Sequence, residues 1–468
     1  MTMKLGVQEK PAFYNVLRTV RLGDVAQSMK NGIYKSKDAY SDDGIACLRM
    51  YNIGDGRIIW RDIKRMVLSD QERDEYSLEP GDLLVNRVNS RELVGKTALV
   101  TTGIERSVFE SKNIRVRLDH RLVEPAYVNY ALLALGRAHF NQNAQQVVGM
   151  ASVSQPQVAA FQFLLRPVAQ QREVVAYLDE QLSRLDASVA ALHGVQANLK
   201  RYRASVLKSA CEGRLVPTEA ELARREGRSF ETGAQLLQRI LIEQRARCGQ
   251  RKYKESTSPA LADLPELPAG WHWGTMPQLG ELNRGKSKHR PRDDEKLYGG
   301  PHPFIQTGDV RHADGVLSRH TQTYSDLGLA QSRLWPAGTL CITIAANIAE
   351  TARLSYPACF PDSIVGFVCD SGEAMTKWVQ IFLATAKENL ETFAPGTAQK
   401  NINLEVLQNV AIPLPPLAEQ HRIVAEADRR LSLIRVAEAQ VAANLARAQR
   451  LRQSILQAAF RTPAQAGQ

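Results

Sequence analysis

Five cations fall within nine residues in Arg284-Gly-Lys286-Ser-Lys288-His289-Arg290-Pro-Arg292. Its Gly and Pro make this stretch a loop, and a cationic loop suits phosphate contacts, with Arg or Lys also able to donate to guanine edges. An ordinary solvated loop would have the same composition. The nucleic-acid reading gains from a second stretch, Lys30-Asn-Gly-Ile-Tyr-Lys35-Ser-Lys37, which follows the opening Leu22-Gly-Asp24 as the first follows Leu279-Gly-Glu281. Further candidate contacts are Arg87, Asn89, Arg91 and Lys96 in the first half, and Arg311, His312, Lys400 and Asn401 in the second. Asparagine can pair bidentately with adenine, which makes Asn89 and Asn401 candidate base readers. Either could equally cap a turn or a helix, the commoner use of asparagine.

Other chemistries fit less well. Gly81-Asp82 followed by Glu110-Ser111-Lys112 loosely resembles the Asp…Glu-x-Lys metal site of a nuclease. Against it, Asp82 sits in an ordinary Pro-Gly-Asp turn, and its counterpart in the second half is about Thr339. His312 and His320 lack the Cys or carboxylate spacing of a metal site. A methyltransferase would need a cofactor-binding glycine loop and an Asn/Asp-Pro-Pro-aromatic motif for a flipped adenine, and Leu414-Pro-Pro-Leu417 lacks both the polar and the aromatic end. An ATP-driven motor would need Gly-x-x-x-x-Gly-Lys-Ser/Thr, which the chain does not contain.

Charge points the same way as the loops. Sixty Lys+Arg against 49 Asp+Glu give +11, which suits a polyanionic partner. Six scattered cysteines with no C-x-x-C spacing argue against a disulfide framework and for a reducing compartment. Neither a signal peptide nor an apolar run long enough to span a bilayer is present, so a soluble cytoplasmic protein with no membrane partner is expected.

The elements that position the loops are set by an internal repeat. Pro167/Pro416, Gln171/Gln420, Asp179/Asp428, Leu182/Leu431, Arg203/Arg452 and Leu207/Leu456 all lie at one offset of 249 residues. Each copy predicts a long helix. Leu178, Leu182, Leu185, Val189, Leu192 and Leu199 follow heptad spacing in the first, with Gln196 and Arg203 as polar breaks. Ala427, Leu431, Ile434, Val441, Leu445, Ala448 and Ile455 do so in the second, broken by Glu438 and Arg452. The 39 residues from Glu173 to Cys211 would make a rod of roughly 58 Å. Either stripe could pack on its own domain, but two helices with matched seams are natural antiparallel partners. Before each helix the pattern is short apolar pieces separated by turns such as Glu79-Pro80-Gly81-Asp82, the mark of a mixed α/β domain.

The expected fold is therefore α+β, with two mixed α/β domains separated by an antiparallel pair of coiled-coil helices and related by a pseudo-twofold repeat. The expected boundaries are 14–165 for the first domain, 166–215 for its helix, 216–268 for a charged linker, 269–412 for the second domain and 413–461 for its helix. Within the linker, Thr232-Gly-Ala-Gln235 resembles a capping box opening an amphipathic surface helix. Glu419 is expected in the first turn of the second long helix, stabilising the helix end.

Several stretches together resemble the specificity subunit of type I restriction–modification systems. They are Pro268-Ala-Gly-Trp271-His-Trp273 leading to Leu279-Gly-Glu-Leu282, and Gly396-Thr-Ala-Gln-Lys-Asn-Ile402 leading to Ile412-Pro-Leu-Pro-Pro-Leu-Ala-Glu-Gln420. In the first half, Val20-Arg-Leu-Gly-Asp24 and Arg166-Pro-Val-Ala-Gln-Gln171 correspond, and the likeness covers nearly the whole chain. The first half departs in having Arg-Pro for Pro-Leu-Pro-Pro and a shorter Gly149 to Val153 stretch. The resemblance implies a non-catalytic subunit that reads a bipartite target in double-stranded DNA. It further implies that the long helices act as a ruler and docking surface for two methyltransferase subunits, and that motor-endonuclease subunits join for restriction. Cofactors (S-adenosylmethionine, ATP and Mg2+) would then belong to those partners and none to this chain. A DNA-binding regulator with duplicated domains and no methyltransferase partner is the alternative.

Overall fold

The computed structural model describes residues 3–4, 17–147, 149–248, 255–259, 264–344, 350–369, 371–386 and 403–460. The chain divides into two compact units, one formed by Met1–Gly194 with Ala442–Gln468 and the other by Val195–Val441.

In the first unit the strands that matter are β1 (Arg18–Arg21), β2 (Ala26–Asn31), β3 (Gly56–Ile58), β4 (Leu83–Asn86), β5 (Thr97–Leu99), β6 (Asn113–Leu118) and β7 (Gln162–Leu165). Five of them run in the order β2-β6-β4-β5-β3, antiparallel except for the parallel β5/β3 pair, with short strands added at both edges. The central strand β4 is buried at every position, which is why Leu-Leu-Val reads as a continuous apolar run and not as an alternation. The turn into β4 is closed by Asp82 N donating to Glu79 O at 3.0 Å, with Pro80 presetting one dihedral and Gly81 at φ +95° supplying the other. β1 and β7 pair antiparallel beside this sheet.

The second unit repeats the plan with β8 (His272–Thr275), β9 (Gly280–Arg284), β10 (Val316–Leu317), β11 (Leu340–Thr343), β12 (Thr351–Leu354), β13 (Ile364–Cys369) and β14 (Ala411–Leu414). Its sheet order is β9-β13-β11-β12-β10, again antiparallel except for the last pair, and β8 pairs antiparallel with β14. Strand for strand, this is the first unit's sheet and its accessory pair. The repeat seen in the helices therefore extends to sheet topology, where few residues match.

The helices are α1 (Val168–Cys211), α2 (Glu219–Glu226), α3 (Gly233–Cys248) and α4 (Leu417–Phe460). α1 and α4 each have 44 residues, about 66 Å at ~1.5 Å rise, longer than the expected rod because both helices begin directly after their prolines. In the first unit Leu178, Leu182, Leu456 and Phe460 join the domain core, and Phe460 packs 5.0 Å from the Tyr127 ring. The two segments run antiparallel there, since Arg166 donates to Ala459 O at 3.3 Å while Asp186 pairs with Arg452 at 2.6 Å. In the second unit they are antiparallel as well: Arg203 pairs with Glu438 at 2.7 Å, and Arg422 reaches Pro217 O at 3.4 Å. Arg203 and Arg452 are polar breaks in the heptad seam, and each is neutralised by an acid on the facing helix.

The charged stretch between the halves differs from the expected surface linker. The capping box forms, with Gln235 N donating to Thr232 Oγ1 at 3.3 Å. But Leu236, Leu237 and Ile240 of α3 are buried in the second unit's core beside Val206, Trp271, Ile412 and Leu414. Gly233 permits this approach, because a Cβ there would lie 2.2 Å from Leu414 O. The apolar stripe is thus the lid over the β8/β14 pair.

Glu419 is also more than a helix-end charge. It is fully buried, accepting from Glu219 N at 2.8 Å and from Trp271 Nε1 at 2.9 Å. Burial raises its pKa against the lowering effect of these bonds. Desolvation acts the same way on the adjacent Glu219, but the guanidiniums of Arg422 and Arg228 outweigh it and hold that carboxyl below its usual range. Two of the short motifs that carry the family resemblance, around Trp271 and around Glu419, therefore meet in one buried hydrogen bond that fastens the domain to its long helix. Gln171 and Gln420, equivalent in the repeat, are both buried at helix starts; Gln171 donates to Arg166 O at 2.7 Å and Gln420 to Pro415 O at 2.8 Å.

Candidate nucleic-acid interface

Each cationic loop leaves the sheet at the same place. β2 ends at Asn31 and β9 at Arg284, and the next residue in each case is a glycine pressed against a backbone carbonyl. A Cβ on Gly32 would lie 2.1 Å from Glu110 O, and one on Gly285 would lie 2.3 Å from Phe360 O. The following residues then bond to the same neighbouring segment, Ile33 N to Phe109 O at 2.9 Å and Lys286 N to Phe360 O at 3.1 Å. Only glycine allows the chain to leave the sheet this close to its neighbour.

In the second unit two of the five cations hold the loop. Arg290 donates to Ser287 O and His289 O at 2.8 Å, and Arg292 meets both oxygens of Asp362 at 2.9 Å. Gln331 accepts from Lys288 N and His289 N, while Ser332 Oγ donates to Lys286 O at 2.8 Å. His289 Nε2 lies 2.9 Å from Asp294, whose carboxyl is held low by the Lys296 amide and by His289. Arg284, Lys286 and Lys288 are exposed and form no side-chain hydrogen bond or ion pair among the described residues. They project free cations from a loop whose backbone is pinned. Arg311 is exposed at the end of a short helix, Thr307–His312, packed on β11 and β12. His312 and His320 each engage a separate neighbour, Gly308 O at 2.7 Å and the Tyr356 hydroxyl at 3.1 Å. Lys400 and Asn401 lie outside the described residues.

The first unit gathers its cations differently. Lys37 and Arg91 are exposed and free of ion pairs among the described residues, whereas Lys35 pairs with Glu72 at 2.6 Å. Lys30 is buried against Glu75, its ammonium 4.3 Å from the Tyr76 ring centre, and serves the fold. Lys96 donates to Met50 O at 3.3 Å and is partly desolvated, which lowers its pKa. Lys112 approaches the Met50 sulfur at 3.9 Å, and Arg87 N donates to Lys112 O at 2.8 Å. Lys96 and Lys112 thus converge on the turn Met50–Asn52, with Arg49 at its start.

Asn89 is a correction. It is buried, donates to Asn86 Oδ1 at 2.8 Å and accepts from Ser90 N at 2.9 Å, at the end of an amide chain that continues from Asn86 to Asn113 at 3.1 Å. With both ends of its amide satisfied inside the domain, it fixes the Arg87–Lys96 connection and presents nothing to a base. The nuclease motif dissolves in the same way. Asp82 accepts from Arg117 at 2.8 Å through both oxygens and from Glu79 N at 2.8 Å, and Glu110 accepts from Met50 N at 3.3 Å. Arg49, Tyr51, Trp60 and Lys112 were missed as surface groups. The signal available was an arginine and an exposed-type aromatic flanking Asn52, just before the Gly54-Asp-Gly56 turn.

Residues 268–429 match the family model described as the type I restriction modification DNA specificity domain. The chain is 25% identical over 199 residues to the type I restriction enzyme StySPI specificity subunit of Salmonella potsdam, spanning 42% of this chain and 43% of that protein. It is 22% identical over 457 residues to the EcoKI specificity subunit of Escherichia coli, spanning 92% of this chain and 85% of that one. A solved chain described in work on complex assembly and conformational transition of the type I R-M system shares the fold with a TM-score of 0.61 at 21% identity, over 96% of this chain and 99% of that chain.

Proposed function

We propose that this chain is a specificity subunit of a type I restriction–modification system, which reads a bipartite DNA target and directs the other subunits of its complex to it. The observation that carries the reading is the doubling of one construction: the same five-strand order twice, each with a cationic loop leaving the equivalent strand over a close-packed glycine. Each unit reads one half-site. The long helices set the spacer, since a helix of about 66 Å compares with about 34 Å for one turn of DNA.

The chain does no chemistry of its own in this reading. Two methyltransferase subunits dock on the long helices, which expose Leu433 and Val436 on the second unit's face and Tyr177 on the first unit's. Motor-endonuclease subunits join for restriction, and S-adenosylmethionine, ATP and Mg2+ act on those partners in the cytoplasm.

Mapping of methylated adenines across host DNA, with and without this chain beside its co-expressed methyltransferase, tests the proposal. The expected result is a two-part motif with a fixed spacer that vanishes when the chain is removed. Unchanged methylation with an active partner would overturn it. A free chain that binds its site strongly and never co-purifies with a methyltransferase would point instead to a duplicated-domain regulator.

A further inference from the structure

The turn on which Lys96 and Lys112 converge carries Tyr51, the segment hydrogen-bonded to it carries Trp60, and the fold leaves both rings in solvent. Tyr51 is 67% exposed and Trp60 44% exposed. Both are held by one buried side chain. Asn52, 1% exposed, accepts from Arg49 N at 3.0 Å and donates to Ile59 O at 3.2 Å and Arg61 O at 2.9 Å. Ile59 N returns a bond to Asn52 O at 2.9 Å, so the segments on either side of both rings are tied to the same amide. Met50 is fixed from the other side by Glu110 and Lys96. The Arg49 guanidinium lies 5.7 Å from the Tyr51 ring centre, and Lys96 and Lys112 both reach Met50.

An exposed aromatic on a mobile loop loses backbone and side-chain entropy when it binds, whereas one on a pinned turn has already lost the backbone share. Exposed rings on a pinned backbone, with Arg49 at the Tyr51 ring and Lys96 and Lys112 at the adjoining Met50, match the face and charge of a nucleobase and its phosphate. We propose that Tyr51 and Trp60 are a base-stacking element of the first unit, placing ring faces against a base or an opened base step of bound DNA while Arg49, Lys96 and Lys112 hold the adjoining phosphates. This rests on the DNA-reading function above.

Trp60 makes the proposal measurable, because it is the only tryptophan in the first unit; the others are Trp271, Trp273, Trp335 and Trp378. The full chain, with its co-expressed methyltransferase, is titrated with a duplex carrying the motif recovered from methylation mapping and with a randomised duplex pool. Binding is read by mobility shift and stacking by tryptophan emission. Stacking quenches the wild-type emission, and Trp60→Phe binds the duplex but loses that quenching. Tyr51→Ala binds about tenfold more weakly, and Tyr51→Phe binds within about twofold of wild type, since the ring and not the hydroxyl is used. A wild-type complex that shifts the duplex with the same emission change in Trp60→Phe, and with Tyr51→Ala binding undiminished, would overturn the stacking element while leaving DNA reading intact. A complex that shifts neither duplex nor pool would overturn both.

Discussion

Replacing Glu419 by glutamine separates the two forces acting on the bond that ties the second unit to its long helix. The buried carboxylate accepts from Glu219 N and Trp271 Nε1 at 2.8 and 2.9 Å, and hydrogen bonds to a charged acceptor contribute roughly 1.5–3 kcal/mol each. Opposing them is the desolvation of a fully buried carboxylate, which costs several kcal/mol. Because the folded pKa is raised above 4.5, desolvation wins: the folded state binds the proton more tightly than the unfolded chain does. Glu419 therefore contributes its full stability below the unfolded value, and that contribution is lost as pH rises through the folded one. Glutamine is neutral at every pH but has one acceptor oxygen where Glu419 uses two, Oε2 for Glu219 N and Oε1 for Trp271 Nε1, so Glu419→Gln sets its amide N–H against one of these donors and should cost about 1–3 kcal/mol at pH 7. Its stability relative to wild type should improve as pH rises from about 4.5 through the raised folded pKa. Glu419→Ala, in contrast, leaves two buried donors unpaired and should cost about 2–5 kcal/mol. Urea unfolding followed by tryptophan emission reports this, since Trp335 and Trp378 are fully buried in the same unit. Taking the difference between variant and wild type at each pH removes the titration of every other carboxyl. A difference between the glutamine variant and wild type that does not change with pH would refute the assignment of desolvation as the dominant force.

Three further outcomes follow from the geometry. Arg284→Gln, Lys286→Gln and Lys288→Gln together should leave unfolding unchanged and lower the salt slope of DNA binding by about 2–3, because these exposed cations hold no part of the loop; an unaltered slope would place the phosphate contacts elsewhere. Gly285→Ala should impair reading of one half-site only, because its Cβ would fall 2.3 Å from Phe360 O, and methylation mapping of the variant checks this. Inserting one heptad into both long helices lengthens each by about 10.5 Å, and sequencing of the methylated motif should return a longer spacer with both half-sites unchanged. An altered half-site would count against the ruler.

By itself the sequence determined the elements whose information is local and periodic. The 249-residue offset, the heptad seams with their polar breaks at Arg203, Glu438 and Arg452, and the Thr232–Gln235 cap all rest on spacing along one chain, and all recur in the structure. The two cationic loops were legible for the same reason, as runs of charge beside a turn. Only tertiary structure decided what each residue faces. It put Asn89 inside an amide chain, turned the α3 stripe into a core lid, buried Glu419 against Trp271, and divided the second loop's cations into two that hold it and three that remain free. The physical reason is that burial and pairing depend on partners distant in the chain, such as Trp271 for Glu419 at a separation of 148 residues, and no local pattern of residue types encodes which of many possible partners will arrive.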